Sequence, residues 1–164
     1  MDDLLRWVRD TPLGHFMRET GNAFPVAEMS HFISLSLLMG VMLVVDLRIL
    51  GVFKQASYSS VLKLIPLAIV GFAINLISGV CFIVTNPFLY FTNPAFYWKL
   101  TFILLGGLNA LWFTFAEHRL ISGLPTDARA PALARVMAAA SLGMWTLVLL
   151  LGRLLPTFAP VAGG

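Results

Sequence analysis

The sequence predicts an all-α integral membrane protein folded as an up-and-down four-helix bundle. Hydrophobic residues make up 59% of the 164-residue chain and charged residues only 12%. The apolar residues form four continuous stretches, and each exceeds the ~20 helical residues needed to cross a hydrocarbon core of ~30 Å. A transmembrane β-barrel would instead show segments of ~10 residues with alternating polarity, so we expect helices. We predict a single membrane domain over residues 1–164.

The first predicted element is a short amphipathic segment over residues 1–22. Its apolar residues alternate with charges, which is typical of a segment lying in the membrane interface. Thr11 and Pro12 have the pattern of a helix N-cap followed by proline at the first helical position, which indicates two short helices. Gly21 and Pro25 then turn the chain into the bilayer.

Four spanning helices follow, with short connections between them. We place these spans at about 24–50, 61–84, 96–120 and 133–156. The connection between the second and third spans contains two Asn-Pro breaks and many aromatic residues, a composition typical of the aromatic belt at a membrane interface. Small residues recur at helical spacing within the spans, which favours close packing inside one bundle or at a dimer interface.

The distribution of basic residues predicts the orientation of the chain. Lysine and arginine concentrate in the first and third connections, whereas the second has only Lys99 at its edge. By the positive-inside rule the two basic connections face the cytoplasm, so both termini lie on the outer side. The net charge of +3 includes no basic cluster. Nucleic acid is therefore not an expected partner.

Polar residues within the spans fall into three depths. They are Glu28, His31, Lys99 and Arg153 near the outer ends, Asn75 and Asn109 at mid-depth, and Asp46, Arg48, Glu117, His118 and Arg119 at the cytoplasmic ends. An ionisable group in a span costs about 2.5–3.5 kcal/mol on insertion scales, so it normally faces a cavity, a partner or the interface. The outer set predicts either a polar pocket or a structural network in which Glu28, His31 and Arg153 join spans one and four. We expect the cytoplasmic-end charges to be solvated, with snorkelling side chains.

The two asparagines lie at matching depths in the second and third spans. We expect a hydrogen bond between Asn75 and Asn109 that stabilises the contact of these helices by about 0.6–2 kcal/mol. In a small oligomeric transporter or channel the same residues would line the path.

The histidines raise the question of a metal or haem site. Glu28 and His31 are three residues apart and share a helix face, as in the E-x-x-H motif of di-metal bundles. Such sites use the motif twice, and only His15 and Glu19 are available to add to it here. His31 is therefore the candidate metal ligand. A haem shared by His31 and His118 is disfavoured, because a rise of about 1.5 Å per residue separates their depths by roughly 20 Å. Haem b would need a second axial ligand besides His31. This ligand could be His15, a non-histidine side chain or a histidine of a neighbouring chain.

No motif in the sequence indicates a particular chemical reaction. The chain has no nucleophile elbow, no phosphate-binding glycine loop and no H-E-x-x-H sequence. Its connections are also too short to contain a catalytic domain, so an enzyme is not the favoured class.

Four sequence motifs occur in a recognisable order along the chain. They are F-P-V-A-E-M-S-H at 24–31, D-L-R-I-L-G at 46–51, G-L-N-A at 107–110 and G-R at 152–153. Together they resemble an uncharacterised bacterial family of small four-span inner-membrane proteins, over nearly the whole chain. The resemblance implies a multi-pass protein of the bacterial inner membrane, whose termini would then be periplasmic. It also places seven polar residues in the family pattern: Glu28, His31, Asp46, Arg48, Lys99, Asn109 and Arg153.

These observations favour a non-enzymatic accessory or ligand-binding subunit with an outer polar pocket. Lys99 and Arg153 can donate charge-assisted hydrogen bonds, which suits an anionic or quinone-like head group. The alternatives are a redox protein in which His31 ligates haem b, and a small oligomeric transporter or channel. Besides the lipid bilayer, the expected partners are further copies of the chain or subunits of a larger membrane complex.

Overall fold

Four long helices make up most of the protein in the computed structural model. The structure describes residues 1–158, apart from the side chains of residues 116, 117 and 120. The last part of the predicted domain, residues 159–164, and the predicted charge of Glu117 lie outside the described residues. Over the described part the chain is all-helical, which confirms the predicted fold class.

The helices follow one another with few intervening residues. Their bounds are α1 (Asp2–Arg9), α2 (Pro12–Glu19), α3 (Ala23–Leu50), α4 (Tyr58–Leu62), α5 (Ile65–Thr85), α6 (Pro87–Phe91), α7 (Pro94–Trp112), a π-helical turn (Phe113–Glu117), α8 (His118–Ser122) and α9 (Ala132–Leu154). Four stretches are long and apolar enough to cross a membrane: Ala23–Leu50, Tyr58–Thr85, Pro94–Phe115 and Ala132–Leu154.

The two short N-terminal helices are those that the sequence predicted. The Thr11 hydroxyl accepts a hydrogen bond from the Gly14 amide at 3.2 Å, and Pro12 occupies the first turn of α2. The segment packs against α3, α5 and α6. We call this end of the bundle the upper end; the opposite end, which carries residues 51–57 and 123–131, is the lower end.

Two spans are less regular than the sequence predicted. Pro66 lies in the first turn of α5, where its ring prevents continuation from α4, so the second span begins with a separate short helix. The third span passes through the π-helical turn near its lower end. In the second connection both Asn-Pro breaks are helix starts. Asn86 accepts from the Leu89 amide at 3.3 Å, and Asn93 from the Ala95 amide at 3.0 Å.

The packing order explains where space is left in the bundle. α3 and α9 form the central pair, α5 packs on α3, and α7 packs on α9. α5 and α7 share at most a marginal contact in the described part of the chain. A gap therefore remains between α5 and α7.

Two features set how closely the helices approach. A Cβ atom on Gly71 would lie only 3.0 Å from the Ser34 carbonyl oxygen, so α3 and α5 come together closely where α5 has no side chain. Halfway down the bundle, the buried Trp145 packs between Phe72, at 5.8 Å between ring centroids, and Gly106. This layer divides the upper half of the bundle from the lower half.

Candidate functional site

A large cavity lies in the upper half of the bundle, lined mainly by α3 and α9 and in part by α5, α6 and α7. Its volume is about 650 Å³, which falls within the range of about 300–1,000 Å³ for small-molecule sites. The structure brings the four predicted outer-pocket residues to this cavity together with one of the mid-depth asparagines: Glu28, His31, Lys99, Arg153 and Asn75. We call it the upper cavity.

The rest of the upper cavity is mostly apolar and aromatic. Phe24, Phe32 and Phe82 line it from α3 and α5, and Leu89 and Tyr90 line it from α6. The Phe24 and Phe82 rings pack at 5.5 Å between centroids. An apolar wall with a few polar groups at one end matches a molecule that has a hydrophobic body and a polar head.

His31 is held by α5 through a contact of its ring nitrogen Nδ1, and the hydrogen bonds of Ser78 favour a proton on that nitrogen. His31 Nδ1 lies 2.8 Å from Ser78 Oγ, and the Ser78 hydroxyl donates to the Ile74 carbonyl at 2.8 Å. Because that hydroxyl hydrogen is used within α5, Ser78 accepts the bond from His31 Nδ1–H. His31 Nε2 therefore keeps its lone pair and can accept a hydrogen bond or bind a metal.

Asn75 extends the same α3–α5 contact. Its Nδ2 donates to the His31 carbonyl at 3.0 Å and to Ser34 Oγ at 3.3 Å. The polar residues near His31 thus join spans one and two. The expected network between spans one and four is wrong for this residue, because α5 and not α9 presents the hydrogen-bonding groups to it.

The charged side chains around the upper cavity do not pair with one another. The ion pairs among the described residues all lie in the N-terminal segment and involve Asp10 or Glu19. The expected Glu28–Arg153 pair is therefore not formed. Lys99 is half-buried and packs against Gly152; its Nζ would lie 3.3 Å from a Cβ atom added there. Glu28 and Arg153 are exposed at the rim of the cavity.

Tyr90 adds a neutral polar group to the cavity from outside the spans. Burial raises the pKa of its phenol above the ordinary value, and the negative charge of Glu28 raises it further. Tyr90 therefore remains protonated through the physiological range and can donate a hydrogen bond into the cavity.

At the lower end, by contrast, a charged side chain is buried and hydrogen-bonded within the protein. Arg48 is only 2% exposed. Its Nε donates to the Ala56 carbonyl at 2.5 Å and its Nη2 to the Thr126 carbonyl at 2.7 Å, while the guanidinium stacks 3.7 Å from the Tyr58 ring centroid. The expectation of solvated, snorkelling side chains is wrong for Arg48, because the two lower connections fold over it and supply the acceptors.

Asp46 is also buried, with 4% of its surface exposed, so the expectation of a solvated helix end is wrong for it as well. Arg119 is exposed, as expected of a charge at a helix end.

Asn109 binds a different helix from the one predicted. Its Nδ2 donates to the Met137 carbonyl of α9 at 3.2 Å. The expected hydrogen bond between Asn75 and Asn109 is therefore wrong. The reason is the packing order: α5 and α7, which carry the two asparagines, are not packed neighbours.

The other histidines lie apart from His31. His15 Nδ1 is 3.0 Å from Glu19 Oε1 on the exposed face of α2, and His118 begins α8 at the lower end. Within the described residues no three His, Cys, Asp or Glu side chains are close enough to hold a metal ion together.

Sequence reasoning missed several residues that position this site. Ser78, which orients His31, lies three residues after Asn75 on the same helix face, and that spacing was the available signal. The fully buried Asn93 donates to the Leu155 carbonyl at 2.7 Å and joins the start of α7 to the end of α9. No sequence signal indicated that Tyr90 would line the cavity, since it was one of many aromatic residues in the same connection.

Comparison with known proteins gives one match. The model of a family of unknown function, DUF6644, matches residues 4–158. The chain belongs to the DUF6644 family. The match covers both the upper cavity and the buried arginine at the lower end of this DUF6644 protein. No curated protein and no solved structure matches the chain.

Proposed function

We propose that this DUF6644 protein is a non-enzymatic subunit that binds an amphipathic small molecule in the upper cavity. The polar head of the ligand would carry anionic or carbonyl oxygens, as in a fatty acid or a lipid-soluble quinone. Its apolar body would lie against the aromatic wall and extend through the gap between α5 and α7.

One observation carries this proposal. Lys99 and Arg153 line a cavity of about 650 Å³ within a helical bundle, and neither makes an ion pair or a side-chain hydrogen bond in the described part of the chain. A cation in a spanning segment normally has a partner. An oxygen-bearing head group would supply one, and charge-assisted hydrogen bonds of this kind are roughly twice as strong as neutral ones.

The proposed location follows from the charges and the family resemblance. We infer that the protein lies in the bacterial inner membrane with its upper end and both termini in the periplasm. The basic residues near the lower end, Lys54, Lys63 and Arg129, would then face the cytoplasm. Very little of the third span is buried within the bundle. Its outer surface is available to lipid, to further copies of the chain or to another subunit.

The test uses two probes with the same tail and different heads, decanoate and a decyl-substituted ubiquinone. Each is titrated into the full-length protein in mild detergent, and binding is measured by calorimetry. We expect saturable binding of at least one probe. Lys99→Met and Arg153→Met should each weaken it about 10- to 100-fold, because each removes a charged hydrogen bond of about 1.5–3 kcal/mol.

The matched control is Lys63→Met, which removes an exposed lysine near the lower end. This variant should bind as the unmodified protein does. Binding of only one probe would identify the head-group class. Binding of neither probe, or equal losses in Lys63→Met and Lys99→Met, would overturn the proposal.

A second candidate function is haem b binding through His31. The observation that favours it is the Ser78 contact, which leaves the Nε2 lone pair of His31 available as an axial ligand. Lys99 or Arg153 would then pair with a propionate. A reduced-minus-oxidised spectrum of the purified protein tests this directly. A Soret shift and a sharp α-band that His31→Ala removes would support it, and a flat spectrum from gently extracted protein would exclude it.

The transporter or channel alternative stays a prediction without a supporting observation. Asn75 and Asn109, which would line the path, contribute to different cavities on either side of the Trp145 layer.

A further inference from the structure

A second, smaller cavity lies in the lower half of the bundle. Its volume is about 50 Å³, and it is enclosed by α3, α5, α7, α9 and the π-helical turn. Most of its lining is apolar, but four side chains bring oxygen atoms to it: Asp46, Asn109, Thr114 and Ser141. The Trp145 layer separates it from the upper cavity, so it is a distinct place in the fold.

Asp46 is the most unusual of these residues. It is 96% buried, since its exposed fraction is 4%, and its Oδ2 atom has no hydrogen-bond partner. No lysine, arginine or histidine nitrogen lies within 4.0 Å of it in the described part of the chain. Arg48, two residues away, donates to the Ala56 and Thr126 carbonyls instead. A buried carboxyl group is stabilised either by a neighbouring positive charge or by taking up a proton, and no side chain described here supplies a positive charge.

The other polar groups turn their hydrogens away from the cavity or leave their oxygens without partners. The Thr114 hydroxyl donates to the Ala110 carbonyl at 2.8 Å. The Asn109 amide nitrogen donates to the Met137 carbonyl, which leaves the amide oxygen as an acceptor. Ser141 Oγ is buried beside the Asp46 carboxyl group and makes no short hydrogen bond. The polar groups of the cavity therefore offer mainly oxygen lone pairs, which is the donor set of a hard cation.

The backbone at this point is also irregular. The π-helical turn Phe113–Glu117 begins at the cavity, and Phe113 and Thr114 belong both to the turn and to the lining. Single π-helical turns within α-helices occur frequently at functional sites, because the extra residue redirects side chains and widens the turn. Here the turn adds Thr114 to the three oxygen-bearing residues of α3, α7 and α9.

We propose that the lower cavity binds one monovalent cation of the size of Na⁺, with Asp46 supplying the negative charge. Asn109, Ser141 and Thr114 supply neutral oxygen ligands. The volume suits a single small ion with a little water, since one water needs about 10–15 Å³. Among the residues whose side chains the structure describes, Asp46 is the carboxylate that lines the cavity. We therefore expect a monovalent ion, since sites for divalent ions use more carboxylates.

The experiment measures thermal unfolding of the full-length protein in detergent while Na⁺ replaces choline at constant ionic strength. A ligand that binds only the folded state stabilises it by mass action. We expect the unfolding midpoint to rise and then level off, by roughly 5–10 °C at a hundredfold excess over the dissociation constant. K⁺ should have a clearly smaller effect, because the cavity is small. Direct binding of radioactive ²²Na⁺ gives a second readout, with one ion expected per chain.

Two variants and one control locate the ion. Asp46→Asn should abolish the Na⁺-dependent rise and the bound ²²Na⁺, and Ser141→Ala should weaken binding at least several-fold. Asp127→Asn makes the same chemical change in an exposed residue of the lower connection and should respond as the unmodified protein does. If Asp46→Asn does not fold, Ser141→Ala and ²²Na⁺ binding decide the question.

Three outcomes would overturn this proposal: no Na⁺-specific stabilisation, an equal response to Na⁺ and K⁺, or unchanged binding in the Asp46 variant. A carboxylic-acid infrared band that Asp46→Asn removes, in protein that binds no Na⁺, would show a protonated aspartate instead. None of these results bears on the upper cavity, which is tested with different probes and different residues.

Discussion

The upper and lower ends of this bundle place similar charged residues in opposite situations. At the lower end, Arg48 is buried and two backbone carbonyls accept its hydrogen bonds. At the upper end, Lys99 and Arg153 line a cavity and make no such contacts within residues 1–158. The comparison shows that a cation in an apolar helix can be structural or available to a ligand, and that its polar neighbours decide which.

The connecting segments account for this difference. Both lower connections fold back across the end of α3 and bring carbonyl groups to Arg48, and Tyr58 reinforces them by donating to the Ala128 carbonyl at 3.0 Å. At the upper end, α6 contributes Leu89 and Tyr90 to the cavity wall instead. The lower end is therefore closed by its own loops, whereas the upper end retains a large open volume.

The largest expected effect comes from removing the lower arginine. Arg48→Ala should lower the free energy of unfolding by about 3–5 kcal/mol, because it removes two hydrogen bonds from a charged donor and leaves buried carbonyls without partners. Denaturant unfolding in detergent measures this change. Arg119→Ala, at an exposed position of the same end, should change stability by less than about 0.5 kcal/mol. Similar losses in both variants would contradict the structural role of Arg48.

The next effect concerns the close contact between α3 and α5 at Gly71. Gly71→Ala should cost about 1–3 kcal/mol, because the added methyl group would lie 3.0 Å from the Ser34 carbonyl and push α3 from α5. Gly79→Ala is the matched control on the same helix, since a Cβ atom there would lie 3.9 Å from His31 Cε1, an ordinary contact distance. Thermal unfolding of the two variants should therefore differ clearly, and equal midpoints would show that α3 and α5 are not in close contact at Gly71.

A smaller effect is expected at the histidine that joins α3 to α5. His31→Ala should lower stability by about 1–2 kcal/mol, because Ser78 Oγ loses its buried donor. His15→Ala, which removes an exposed ring from α2, should leave the unfolding midpoint nearly unchanged. If the two variants are equally stable, the His31–Ser78 bond does not contribute to the packing of α3 on α5.

The smallest effect on stability should come from the upper cations. The double variant Lys99→Met, Arg153→Met should unfold within about 0.5 kcal/mol of the unmodified protein, or be slightly more stable. Neither cation makes an ion pair among the described residues, and the cost of burying charge falls. Its binding of the amphipathic probe should nevertheless be abolished. A loss of stability as large as that of Arg48→Ala would mean that Lys99 and Arg153 have a structural role, as Arg48 does.

Much of the architecture follows from local sequence features. Continuous apolar stretches specify spanning helices, and Thr11 with Pro12 specifies the start of α2, because these effects depend on residues close together in the chain. The sequence also placed Glu28, His31, Lys99 and Arg153 at one depth, since depth in an up-and-down bundle follows from position along each helix.

Contacts between helices could not be obtained in the same way. Asn75 and Asn109 have matching depths, yet each binds a different neighbour, because depth does not specify which helix faces which. Asp46 and Arg48 resemble ordinary charges at a helix end until the lower connections cover them. The sequence by itself determined the number and approximate bounds of the four spanning helices, which depend on local hydrophobicity. Only the tertiary structure decided that α5 and α7 stand apart, and with that the position of the upper cavity and the partners of each charge, because these depend on packing between residues distant in the chain.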